Sequence, residues 1–269
     1  NLASGIFVVE KTDKTILFCN DTMMKMTGRD LVGEHCYDYH YGCKQPECER
    51  CIPLKQDNYF VEKYDKKRER WYEVRNNDII WVDGREVSLC NITDITDKKK
   101  YQQRIEFQAN NDFLTGLYNR MRCEEDLQIL IRETVKYKCE GAILFIDLDD
   151  FKHINDGLGH QYGDALLKMI SVALQQITGI ERRCYRVGGD EFIIIIEPSI
   201  YDRRMEIISE IQKTFSSPWY LGNTEYYCTM SMGIVTFPNG GKDVNDLIKK
   251  ADIAMYDAKK NGKNGYRFY

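Results

Sequence analysis

No run of apolar residues in this chain approaches the roughly 18–20 needed to cross a bilayer, so no membrane segment is expected within it. A charged-then-apolar N-terminal signal is also missing, and the expected compartment is the cytoplasm. Basic charge is not in excess: 38 Lys and Arg face 42 Asp and Glu, for a net charge of -4. A broad electrostatic footprint for nucleic acid is thereby excluded, and an anionic ligand must be met by a few local cations. Internal repeats and low-complexity segments are absent. A secreted disulfide framework is lacking too, although there are ten cysteines. Four fall between Cys36 and Cys51, while Cys19, Cys90, Cys123, Cys139, Cys184 and Cys228 stand singly, mostly in apolar settings. That distribution suits a reducing compartment with one local cluster. The chain opens on Asn1 instead of methionine, which leaves room for upstream segments.

What is present is enough for two domains: 269 residues, 43% hydrophobic and 30% charged. In residues 1–96, GIFVVE and TILFCN read as strands, and DTMMKMTG reads as a short helix capped by Asn20 or Asp21 and closed by Gly28. RWYEVRNNDIIWV reads as strand broken by an Asn-Asn turn, joined through Asp83 and Gly84 to a last strand, REVSLCNITDIT. Residues 97–111 are polar and free of Gly and Pro, with Tyr101, Ile105 and Gln108 at spacings of four and three. They form a helical connector, either a solvated linker or a short parallel coiled-coil contact between two copies. From Asp112 to Tyr269 helix and strand signals alternate. The expected class is α+β.

Charge sits where strands end. RVGGDEFIIII, residues 186–196, reads as a β-hairpin in which Gly188 and Gly189 supply the positive φ of a tight turn and Phe192 to Ile196 form a buried strand. Asp190 and Glu191 stand between them, and Asp147 closes the apolar strand GAILFIDLD in the same way. Buried carboxylates left unpaired are strongly disfavoured. If the two strands are neighbours, the acids converge on a hard divalent cation, which prefers oxygen ligands and shares them with substrate phosphates.

These residues and their neighbours resemble the GGDEF family of diguanylate cyclases. GGDEF itself is Gly188 to Phe192; DFLTGLYNR (112–120), DLDDFKHINDGLGHQYGDALL (147–167), TMSMGI (229–234) and ADIAMYDAKKNGKN (251–264) follow the family's ordered motifs, so the resemblance covers Asp112 to Tyr269. It implies a polymerase-palm or nucleotide-cyclase-like central sheet flanked by helices, and condensation of two GTP into c-di-GMP by a homodimer. On these positions it implies that Asp147, Asp190 and Glu191, with the Leu148 carbonyl, hold Mg²⁺ or Mn²⁺. Gly188 and Gly189 would let the backbone approach the nucleotide. Asn155 and Asp164 would read guanine, and Lys152, Lys259 and Lys263 would meet phosphates. Asp112 and Arg186 would form a structural salt bridge. Asp164 favours a GTP-selective enzyme over a maker of mixed cyclic dinucleotides; a silent scaffold that binds GTP or c-di-GMP is the alternative from another class.

Two departures matter. Lys263 stands where relatives often carry Arg, replacing a bidentate fork by a point charge. Residues 179–182 read GIER where many relatives have the Arg-x-x-Asp of a product-inhibition site, so weak inhibition by c-di-GMP through that route is expected. Residues 1–96 resemble a PAS domain, an antiparallel sheet with short helices whose family role is sensing and dimerisation. Within them HCYDYHYGCKQPECERC gathers Cys36, Cys43, Cys48 and Cys51 beside His35 and His40. Three readings stand: a Zn²⁺ or iron-sulfur site, a redox-reversible pair, or free thiols. Flavin is disfavoured by the missing Arg-Phe-Leu-Gln after Cys36, and haem through His35 or His40 is no better supported.

Overall fold

The computed structural model describes residues 4–36, 59–222 and 224–269. The chain divides into two compact units, Asn1–Ile105 and Glu106–Tyr269.

In the first unit β1 (Ser4–Glu10), β2 (Ile16–Cys19), β3 (Tyr59–Asp65), β4 (Arg70–Ile80) and β5 (Glu86–Asp94) form an antiparallel sheet ordered β2-β1-β5-β4-β3. Helix α1 (Asp21–Thr27) begins where the Asn20 side chain accepts from the Met23 N–H, so Asn20 is the cap, and it ends on left-handed Gly28. Alternate residues Phe7 and Val9, with Ile16, Met23, Leu31, Cys36 and Cys90, build the core. The expected Asn-Asn turn does not form: β4 runs unbroken through Asn76 and Asn77. Asn76 is fully buried opposite Cys90, whose thiol donates to its Oδ1 at 3.1 Å. Satisfying the amide side chain removes its usual preference for a turn. The hairpin over Asp83 and Gly84 does form, with Gly84 at φ 85°.

Helix α2 (Thr96–Asn110) contains the boundary between the units. Tyr101, Ile105 and Gln108 are all exposed on it.

The second unit is built on a sheet ordered β12-β11-β6-β8-β7: β6 (Gly141–Leu148), β7 (Cys184–Gly188), β8 (Glu191–Ile196), β11 (Met230–Phe237) and β12 (Gly265–Phe268). Only the β11–β12 pair is parallel. A small hairpin, β9 (Trp219–Leu221) and β10 (Thr224–Tyr226), stands apart. Strand β6 is buried along its whole length because both faces of the sheet are covered. Its Leu144, Ile146 and Leu148 face α4 (Phe151–Leu158), α5 (His160–Gln175) and α6 (Arg204–Phe215). Its Ile143 and Phe145 face α3 (Arg120–Tyr137) and α7 (Val244–Lys260). The two-residue period of a strand therefore puts Asp147 on the α3/α7 face. Strand β8 repeats the pattern: Ile193 to Ile196 are essentially inaccessible, each contributing roughly 1.5–3 kcal/mol of burial, and Glu191 falls on the face of Ile193.

Candidate active site

The register of the sheet puts a polar row at one end of it. Ser231 on β11 pairs with Asp147 on β6, and Asp147 pairs with Glu191 on β8. All three share the α3/α7 face. The turn that links β7 to β8 closes on the same end, because the Leu148 N–H donates to the Asp190 carbonyl at 3.3 Å. Gly189 takes the left-handed φ of 46° that this turn needs, whereas Gly188 is extended and ends β7 at a bulge. Only one of the two glycines thus supplies a positive φ, because the bulge turns the chain before Gly188 is reached. Arg186 locks the turn from below: its guanidinium donates to the Gly189 carbonyl at 2.7 and 3.0 Å and to Asp112 at 2.8 Å.

Burial pushes the Asp147 carboxyl above its ordinary 3.8, against the pull of the Lys259 hydrogen bond and with added repulsion from Asp190 and Asp149. Burial also pushes Glu191 above 4.5, helped by the charges of Asp147, Asp190 and Asp252. Lys259, on the last turn of α7, donates to Asp147 Oδ1 at 2.5 Å. Lys263, just past that helix, reaches both oxygens of Asp150 at 2.7 and 2.8 Å. Among the described residues neither Asp190 nor Glu191 makes an ion pair, so of the three carboxylates only Asp147 meets an ammonium and negative charge remains. Burial and the acids Asp149 and Asp190 also push the nearby Cys228 thiol up to about 12, which keeps it neutral at pH 7.

Oxygen donors with surplus negative charge are the chemistry of a hard divalent cation, and Asp147, Asp190, Glu191 and the Leu148 carbonyl fit Mg²⁺ or Mn²⁺ in that respect. Even so, no three Asp, Glu, His or Cys side chains among the described residues close tightly enough around one point to hold a metal ion. The Lys259 ammonium neutralises Asp147 instead. Of the cysteine cluster, Cys36 is buried in the first unit's core and the His35 imidazole lies 3.1 Å from the Asp13 carbonyl. Cys43, Cys48, Cys51 and His40 lie outside the described residues.

The guanine-reading candidates sit on the opposite side of the β6 exit. Asn155 is half-buried on α4, and Asp164 is exposed near the start of α5. Gly163 brings the two helices together: a Cβ there would stand 2.1 Å from Asn155 Oδ1. Lys152 is exposed on the first turn of α4 and bonds none of the acids. Near the absent inhibitory motif, Glu181 accepts from the Gly179 N–H at 3.0 Å and Arg182 is exposed.

Three contributors escape a reading by motif role. Gly163 is one, and its signal was a glycine inside a helical pattern, where it costs roughly 1 kcal/mol relative to Ala. Gly233 is another: a Cβ would meet the Ala251 carbonyl at 1.9 Å, so glycine lets α7 lie close on β11 and carry Lys259 to Asp147. Asp149, buried two residues beyond Asp147, is the third.

Comparison with known proteins bears on the family and the fold. Residues 109–265, more than half of the chain, match the family described as "Diguanylate cyclase, GGDEF domain". A protein named Diguanylate cyclase from Vibrio cholerae is 26% identical over 97% of this chain and 85% of its own length. The cyclic di-GMP phosphodiesterase PdeR of Escherichia coli is 33% identical over 66% of this chain but only 27% of its own length. The bifunctional MucR of Pseudomonas aeruginosa is 35% identical over 60% of this chain and 24% of its own. The chain thus spans about a quarter of the length of those last two relatives. Among solved structures, the GGDEF domain of YfiN (TpbB) from Pseudomonas aeruginosa covers 59% of this chain and 93% of its own at 31% identity and a TM-score of 0.55. The coiled coil and GGDEF domain of DgcB from Caulobacter crescentus, solved with c-di-GMP, shares the fold with a TM-score of 0.59 at 23% identity, over 65% of this chain and 93% of its own. The chain belongs to the GGDEF family.

Proposed function

We propose that this protein is a diguanylate cyclase that joins two GTP into c-di-GMP and releases two pyrophosphates. The observation that carries the reading is the row in which Asp147 and Glu191 face each other across β6 and β8, with Lys259 delivered to the same point by α7. In each half-reaction a 3'-oxygen bonds to the α-phosphorus of the other nucleotide, the bond to pyrophosphate breaks, and the hydroxyl proton leaves. Mg²⁺ or Mn²⁺ held by Asp147, Asp190, Glu191 and the Leu148 carbonyl supplies, when bound, positive charge at the α-phosphate and a more acidic hydroxyl.

The chain's own residues do the rest. Lys259 and Lys263 stand on Asp147 and Asp150, from where each would exchange its carboxylate partner for a phosphate of the bound triphosphate, and Lys152 adds a cation from α4. Asp164 accepts from the N1 and N2 hydrogens of guanine, a donor pair that adenine lacks, and Asn155 flanks it. Gly188 and Gly189 keep the turn free of side chains where the nucleotide passes. Because one site holds one GTP, two copies must face each other, and alignment of that dimer falls to the PAS-like first unit and α2.

A nucleotide-binding scaffold is a second reading, favoured by the phosphodiesterase name of one relative. Incubation of reduced and oxidised protein with GTP, ATP and Mg²⁺, followed by mass spectrometry, separates the readings. The cyclase yields c-di-GMP and pyrophosphate from GTP alone. Tight GTP binding with no cyclic product in either redox state overturns it in favour of the scaffold, and products containing adenine overturn the guanine assignment.

A further inference from the structure

Asp149 is only 6% exposed, yet it is fully occupied by donors from outside its own element. Its Oδ2 accepts from the Thr229 hydroxyl at 2.7 Å and from the Asn264 N–H at 3.0 Å, and its Oδ1 accepts from the Ser231 hydroxyl at 2.7 Å. Its own N–H donates to the Thr229 carbonyl at 2.9 Å. Two of these partners belong to β11 and its approach; the third belongs to the loop between α7 and β12.

That loop is the unusual part. Gly262, Lys263 and Asn264 take successive φ values of 109°, 59° and 46°. Left-handed backbone is sparsely populated by non-glycine residues and persists where surrounding contacts fix it. The Asn264 N–H bonded to Asp149 is such a contact, and Lys263 immediately before it presents its ammonium to Asp150, immediately after Asp149. Adjacent residues on one side thus hold adjacent residues on the other.

We propose that Asp149 is a positioning residue for the nucleotide's phosphates: by gripping Asn264 it holds the left-handed loop against the exit of β6, and so fixes where the Lys263 ammonium stands. It acts through hydrogen bonds to the loop and touches neither substrate nor metal. Thr229 and Ser231 keep the carboxylate aimed. The inference rests on the cyclase reading, since it assigns Lys263 to the triphosphate.

The test is a double-mutant cycle on the full chain, with kcat, KM for GTP and thermal melting measured for wild type, D149A, K263A and D149A/K263A. If Asp149 works through Lys263, D149A raises KM about tenfold with kcat changed less than about threefold, and the double variant matches K263A. A KM within about twofold of wild type, an equal loss of kcat without a rise in KM, or effects that multiply in the double variant overturns the inference while wild-type activity keeps the cyclase reading intact. A wild type that makes no c-di-GMP overturns both. Should D149A fail to fold, D149N takes its place, having the same shape but an amide N–H₂ against one of the three donors. A smaller KM rise that disappears in the K263A background supports the inference, and an unchanged KM overturns it.

Discussion

Gly188 and Glu191 separate folding from function more cleanly than any other pair in the site. A Cβ built on Gly188 comes no closer than 4.0 Å to another group, the Glu191 carboxylate, and its backbone is extended, so the protein itself has room for alanine. G188A is therefore expected to melt within about 2 °C of wild type while kcat/KM for GTP falls at least about a hundredfold, because the methyl fills the path of the nucleotide. An active G188A would remove the turn from the binding site. For Glu191 the sign of the charge effect is definite. Its folded carboxyl is raised above 4.5 by burial and by neighbouring acids, so the stability it contributes is fully present below the unfolded value and is lost as pH rises through the folded one. In chelator at pH 7, E191Q should melt higher than wild type, by roughly 2–4 °C for each kcal/mol relieved, and the gap should close below pH 4.5. Activity should disappear. Melts at pH 4 and pH 7 check this, and an E191Q that melts lower at pH 7 would mean that the carboxylate is stabilised by contacts, not strained by burial.

Helices and strands were legible where one period governed them, and less so where packing overrode local preference. The four isoleucines of β8 and the apolar run of β6 announce buried strands, and the acids at their ends announce a site because nothing local explains charge there. Asn76 and Asn77 mislead for the opposite reason: the partner that satisfies Asn76 is Cys90, fourteen residues away and visible only after the sheet has formed. Asp149 is hidden by its neighbours, since each of the three acids in DLDD looks like the others until their donors are counted. Gly163 shows how an element can act at a distance. Alanine at this position gains roughly 0.5–1 kcal/mol of helix preference, and the atom it strikes is the movable end of the Asn155 side chain. G163A should consequently keep its melting temperature while KM for GTP rises about tenfold and kcat changes little. A KM that stays put would take Asn155 out of the guanine pocket. The segment 179–182 carries a related expectation: with Glu181 turned onto Gly179 and no aspartate beside Arg182, c-di-GMP should inhibit weakly, and a submicromolar inhibition constant lost in R182A would contradict it.

At the scale of the molecule, the second unit could be read almost whole because its motifs are fixed residues in fixed order. The first unit could not, since an antiparallel sheet with a short helix is specified by pattern, and many sequences satisfy the same pattern. What joins the units is α2, whose Tyr101 and Ile105 lie four residues apart and are 66% and 64% exposed. Large apolar side chains at helical spacing on a polar helix are what a parallel contact between two copies would cover, so the proposed dimer has its test here. Within the second unit, the Asn119 side chain donates to the Ala109 carbonyl at 2.7 Å and caps α3, and the neighbouring Tyr118 carbonyl accepts from the Arg186 N–H at 2.8 Å. If catalysis needs two chains, activity per chain must fall on dilution as the dimer separates, following mass action. Specific activity measured across about a hundredfold range of protein should drop at the low end for wild type, and I105D should move that drop to at least about tenfold higher concentration by placing like charges in the seam. KM for GTP, read at saturating protein, should not move, because I105D changes none of the residues assigned to the nucleotide. Constant activity per chain over the whole range, in a protein that sedimentation shows to be monomeric at its dilute end, would mean that a single copy closes the phosphodiester ring and that α2 aligns nothing.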